Sequence, residues 1–125
     1  MPRQAFVGAR YLLGAVFVIF GLNGFFQFIP VPPLAPPGGA FMGAIIQTRY
    51  LMILIKVVEV LCGLALLLNR RVSFALILLG PVVVNIFLFH LMLDRGGAVI
   101  GVIVAVLWGM LLYDRRAIYR PLFRG

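Results

Sequence analysis

Acidic residues are almost missing from this chain. Glu59, Asp94 and Asp114 are the three present among 125 residues, and charged residues of either sign make up only 11%. A domain covered by water carries about a quarter of its residues as charges. This chain cannot cover itself with polar groups, so lipid must do the covering. Cysteine and histidine are scarcer still, with Cys62 and His90 the single examples. One cysteine closes no internal disulfide, and no CxxC redox pair exists. Cys62 is read as a small apolar packing residue. His90 and Met92 stand two apart on one helix and point to different sides, so with no second histidine the chain cannot hold haem by itself. The HExxH, GxSxG and P-loop patterns are absent. No metal site and no intrinsic cofactor are expected, and no catalytic set can be named.

What the chain does contain is apolar residues, 64% of the total, and a basic excess of net charge +8 from ten arginines and one lysine. On a hydrophobic chain such an excess reads as membrane topology. No basic stretch is interleaved with aromatics at nucleic-acid spacing, so nucleic acid is not an expected partner. About 20 predominantly apolar residues cross a bilayer as a helix. Four windows qualify, at residues 11–29, 50–69, 72–93 and 97–113. The links of the last three are so short that neighbouring spans must be antiparallel. The first window is too long for a signal-peptide core, and no small-x-small site follows it promptly. It is read as a retained span. The fold class expected is therefore all-α: one domain, residues 1–125, forming an antiparallel bundle of four transmembrane helices.

Arginines set the orientation. Arg3 and Arg10 precede the first span, Arg70 and Arg71 separate the second from the third, and Arg115, Arg116, Arg120 and Arg124 follow the fourth. The opposite side has Arg49 and Arg95, the latter beside Asp94. The bias predicts a multi-pass protein of the plasma (inner) membrane with both termini cytoplasmic. The outer loop "PVPPLAPPGGAFMGAIIQTR", residues 30–49, holds five of the eight prolines in its first half. That half is expected to be extended or turned. The proline-free half, residues 39–48, is expected to form a short interfacial helix. The tail "YDRRAIYRPLFRG" mixes arginines with aromatic rings, a composition suited to the lipid headgroup region.

Within the spans the polar residues are few and unevenly placed. Lys56 and Glu59 sit in "LIKVVEVL", roughly 10 and 14 Å along the second span from its outer end at 1.5 Å per residue. A charge at such depth costs about 2.5–3.5 kcal/mol on insertion scales. Three residues apart, the two share a helix face and can pair. Asn23 in the first span, and Asn85 and His90 in the third, fall at similar depth. Asn23, Lys56, Glu59, Asn85 and His90 therefore form the candidate site, a polar pocket in the outer half built by three helices. The competing reading is that the asparagines bond between helices and the ion pair locks the packing. Gly21, Gly24 and Gly63 are expected to permit close helix approach. Pro81 removes one backbone hydrogen bond from the third span and is expected to bend it.

The stretches "FGLNGFF", "LIKVVEVLCGLALLLNR" and "PVVVNIFLFHLMLD", in this order and spacing, resemble the DoxX-like family of small four-span membrane proteins. The resemblance implies a four-helix membrane bundle. It also implies that some relatives serve as subunits of membrane redox assemblies, including quinone-reducing ones. Lys56, Glu59, Asn85 and His90 stand at family-like positions. Three functions are then open. The first is a non-catalytic assembly or scaffold subunit. The second is an accessory subunit of a membrane redox complex contacting quinone, with Lys56, Asn85 and His90 as donors and Glu59 as proton relay. The third is a small-molecule carrier. The partners these imply are the lipid bilayer together with redox subunits or further copies of the chain.

Overall fold

The structure is a computed structural model and describes residues 2–26 and 36–123. The first half of the proline-rich loop lies largely outside the described residues. Every described element is helical. In chain order they are α1 (Arg3–Phe26), α2 (Gly38–Gln47), α3 (Tyr50–Leu68), α4 (Val72–Met92), α5 (Ala98–Asp114) and α6 (Arg116–Tyr119), with 3-10 turns at Arg95–Gly97 and Arg120–Phe123. Helices α1, α3, α4 and α5 are long and apolar enough to cross a membrane. They form a closed ring, α1 against α3, α3 against α4, α4 against α5, and α5 back against α1. The chain is a four-helix membrane bundle, as its composition requires. Large apolar side chains such as Leu12, Phe20, Leu61 and Val99 are exposed on its outside, the surface that hydrocarbon covers.

The first span begins earlier than its hydropathy suggests. Arg3–Arg10 was expected as a flank, yet it continues α1 by two turns. Phe6, Ala9, Arg10 and Leu13 fall on one helical face and all four are buried. The helix is extended by that face, not by uniform greasiness. The helix expected over residues 39–48 is present as α2.

The links are built from polar groups that stand in for missing helical bonds. Thr48 Oγ1 donates to the Ile45 carbonyl at 2.6 Å and accepts from the Leu51 N–H at 3.3 Å. One side chain thus closes α2 and opens α3. Between them Tyr50 N–H donates to the Thr48 carbonyl at 2.7 Å around Arg49, whose φ is 65°, the geometry of a strained γ-turn. At the other end of α3, Asn69 adopts the left-handed conformation that asparagine tolerates. Its N–H and that of Arg70 return to the Ala65 and Leu66 carbonyls.

The α1–α3 seam is the tightest in the bundle, and glycine sets its spacing. A Cβ on Gly63 would lie 2.9 Å from both the Gly14 carbonyl oxygen and the Val18 nitrogen. Both are backbone atoms, so nothing flexible can yield. Gly14, absent from the expected glycine set, is the reciprocal position across the seam. Gly63→Ala is expected to force the helices apart and to cost about 1–3 kcal/mol, the range for overpacking. Gly8→Ala, where a Cβ meets nothing within 4 Å, is expected to leave stability unchanged or raise it slightly. Thermal unfolding of both variants in detergent checks the contrast.

The core proper lies toward the basic end, where Leu13, Phe17, Leu66, Leu76, Leu79 and Leu111 are almost completely enclosed. Pro81 stands inside α4 without interrupting it. Its missing N–H leaves the Ile77 carbonyl without a helical donor. One residue earlier, the Leu76 carbonyl accepts a 2.9 Å bond from the Trp108 indole, which ties α5 to α4 next to the proline.

Candidate functional site

The polar residues sort into two seams and one outer face. Lys56 and Glu59 come together as the spacing predicts. Lys56 Nζ lies 3.3 Å from Glu59 Oε2, with the glutamate side chain 6% and the lysine 20% exposed. Helix α1 seals the pair. Gly24 lies under the lysine stem, so that a Cβ there would fall 2.6 Å from Lys56 Cγ, and Gly21 faces Glu59 Cβ and Val60. A side chain at Gly24 would displace the lysine stem, and one at Gly21 would displace Val60 beside the glutamate. Asn23 is buried in the same turn of α1. Cys62, one turn beyond Glu59, is buried in the apolar core as a packing residue.

His90 lies in a different seam. Its ring packs against Gly97 and Gly101 at the start of α5. It stands edge-on to Phe89 at 5.2 Å between centroids. Nδ1 is buried, lies 3.7 Å from Asp94 Oδ2, and has no hydrogen-bond partner among the described residues. Phe89 in turn meets Phe41 of α2 at 5.6 Å, and Gly38 approaches Asp94 and the Leu93 carbonyl. This second seam joins α2, α4 and α5 near the loop end of the bundle. Asn85 belongs to neither seam. It is exposed on α4, in line with exposed Ile77, Pro81, Val84 and Leu88. Five residues expected at one depth are thus distributed around the bundle: Asn23 buried in α1, Lys56 and Glu59 against α1, His90 against α5, Asn85 facing outward.

The opposite end holds side chains whose roles hydropathy did not suggest. Arg10 was expected only as a topology charge. Its guanidinium is buried and donates to the Leu66 carbonyl, with Leu67 O at 3.5 Å. It rests over the Tyr11 ring at 4.4 Å. These carbonyls belong to the last turn of α3, where a helix leaves acceptors unsatisfied and its dipole favours a cation. Arg3 forks onto Asp114 with two bonds of 2.7 Å and so ties the start of α1 to the end of α5. Arg115 donates to Ser73 Oγ at 3.4 Å. Tyr119 O–H donates to the Ser73 carbonyl at 2.8 Å. Burial pushes the Tyr119 phenol above its ordinary value near 10, against the opposing Ser73 bond and Arg115 charge. The termini of α1 and α5, the end of α3 and the start of α4 therefore share one basic end. The signal that could have found Arg10 was its place on the Phe6–Ala9–Leu13 face.

Among the described residues, no three His, Cys, Asp or Glu side chains gather as a metal-binding group. No protein-family model, no curated protein and no solved structure matches this chain.

Proposed function

We propose that this protein is a non-catalytic assembly or scaffold subunit of DoxX-like type, seated in the plasma membrane with its basic end and both termini in the cytoplasm. One observation carries the reading: Lys56 and Glu59 direct their charges at each other inside the α1–α3 seam, where Glu59 is 4% exposed. Both residues belong to α3, and Gly21 and Gly24 of α1 close over them, so the pair shapes the surface on which α1 packs. The outward Asn85 supports the same reading, because an amide facing hydrocarbon is stabilised by a hydrogen bond to a neighbouring helix. The cytoplasmic assignment follows from the arginines gathered at the basic end.

The test is the abundance of partner subunits. Deleting the chain at its native locus lowers the amount of the membrane complex it assembles, read by quantitative mass spectrometry of the membrane fraction. A Lys56→Met/Glu59→Leu double variant restores that complex, and Asn85→Leu does not. Failure of the folded double variant to restore it overturns the scaffold reading.

A second reading, an accessory redox subunit contacting quinone, draws on His90. Its buried Nδ1 has no hydrogen-bond partner among the described residues and, in the tautomer that carries the proton there, offers a donor to a carbonyl oxygen. Quinone retained by the native protein and lost in His90→Phe would favour it.

A further inference from the structure

Between α4, α5 and the C-terminal turns runs an apolar groove of about 600 Å³. Its inner wall is Ile77 and Trp108, and its mouth carries Arg116 and Arg120. A second groove of about 270 Å³, bordered by Val84, Leu88 and Gly109, lies on the other side of Trp108, which lines both. We propose that the two grooves together bind one anionic phospholipid from the leaflet at the basic end, its acyl chain passing Trp108 along α4 and α5 and its phosphate between Arg116 and Arg120.

Length, charge and direction each fit that occupant. From Leu76 in the first groove to Leu88 in the second is twelve residues of α4, about 18 Å at 1.5 Å per residue. One leaflet of hydrocarbon is about 15 Å deep, the reach of one acyl chain. The groove starts where α5 ends at the basic end and runs into the span, the path a chain takes from its headgroup. Its mouth is cationic, and among the described residues no acid neutralises it. Asp114, the nearest acid in sequence, is held at both oxygens by Arg3, and Arg115 is turned to Ser73. Arg116 uses one N–H on the Tyr113 carbonyl at 2.9 Å and stacks on that ring at 4.2 Å. Among the described residues its remaining donors meet no partner, which leaves them for a bidentate phosphate contact. Arg120, four residues on, is exposed. Tyr119, between them, pins the segment to Ser73 and so holds the groove open. Leu122 and Phe123, 68% and 87% exposed, lie where the glycerol and upper acyl carbons would cover them.

The experiment is native mass spectrometry of the full chain from nanodiscs holding equal dioleoyl phosphatidylglycerol and dioleoyl phosphatidylcholine. The wild type retains one phosphatidylglycerol about 30-fold in preference to phosphatidylcholine, the effect of two arginines each acting as one basic residue does at an anionic surface. Arg116→Gln with Arg120→Gln abolishes that preference. Gly109→Leu leaves the arginines intact, and its Cβ meets no atom within 4 Å. By filling the groove it lowers retention of both lipids several-fold while the preference between them persists. Circular dichroism and melting temperature confirm that the variants fold. Equal retention of the two lipids by the wild type overturns the proposal. So does an unchanged preference in the arginine variant, or a second copy of the chain found seated in the groove in place of lipid. Competition by free glycerol phosphate without loss on Gly109→Leu would mean an anion site and no lipid groove.

Discussion

Lys56→Met is expected to destabilise the bundle by about 3 kcal/mol, while Lys56→Met with Glu59→Leu together recovers most of the loss. The asymmetry comes from what each change leaves behind. Removing the lysine strands Glu59 in the α1–α3 seam, where its side chain is 6% exposed and no water reaches it to replace the lost partner. Breaking a buried pair from one side costs about 3–5 kcal/mol, whereas exchanging both charges for apolar groups of similar volume is often neutral or better. Glu59→Leu alone is the milder single change, because Lys56 is 20% exposed and its four-carbon stem lets the ammonium swing toward the nearer interface. Unfolding of the four proteins in a mixed-micelle denaturant series gives the coupling energy directly. Equal losses in the single and double variants would show that the pair is not the seam's anchor.

Arg10→Met is expected to cost about 2–3 kcal/mol, more than any other arginine substitution in the chain. The guanidinium is buried and serves the Leu66 and Leu67 carbonyls at the last turn of α3. A hydrogen bond from a charged donor contributes about 1.5–3 kcal/mol, and without it the Leu66 carbonyl keeps, among the described residues, only the 3.3 Å bond from the Asn69 N–H. Arg10→Lys is expected to recover less than half, because an ammonium offers a compact point charge where the guanidinium presents a planar fork. Arg70→Ala, at an exposed position of the same end, is expected to stay within about 0.5 kcal/mol of wild type. Equal melting temperatures for Arg10→Met and Arg70→Ala would overturn the capping role.

Both results depend on a distinction that arginine counting cannot make. Topology reads Arg3, Arg10, Arg115 and Arg116 as equivalent charges on one side of a membrane. In the bundle, Arg3 clasps Asp114, Arg10 closes a helix end, Arg115 reaches Ser73, and Arg116 stays at the groove mouth. Arg10 and the Leu66 carbonyl are 56 residues apart. Nothing local in either stretch announces the other.

The sequence by itself determined the number of long apolar helices, their antiparallel order, the short helix α2 before α3, and the Lys56–Glu59 pairing. These are properties of one segment at a time. Hydrocarbon imposes a minimum length on each span, short links impose antiparallel neighbours, and i,i+3 spacing places two side chains on one face. Tertiary structure alone decided which way Asn85 and His90 point, which glycines meet backbone and which meet nothing, and that α1 starts at Arg3. The physical reason lies in α4 and α5. A helix that is apolar on every side carries no periodic mark of its inner face, because lipid and protein interior are equally greasy. Depth along such a helix can be counted from its residues, but its rotation about its own axis is set only by the helices that pack against it.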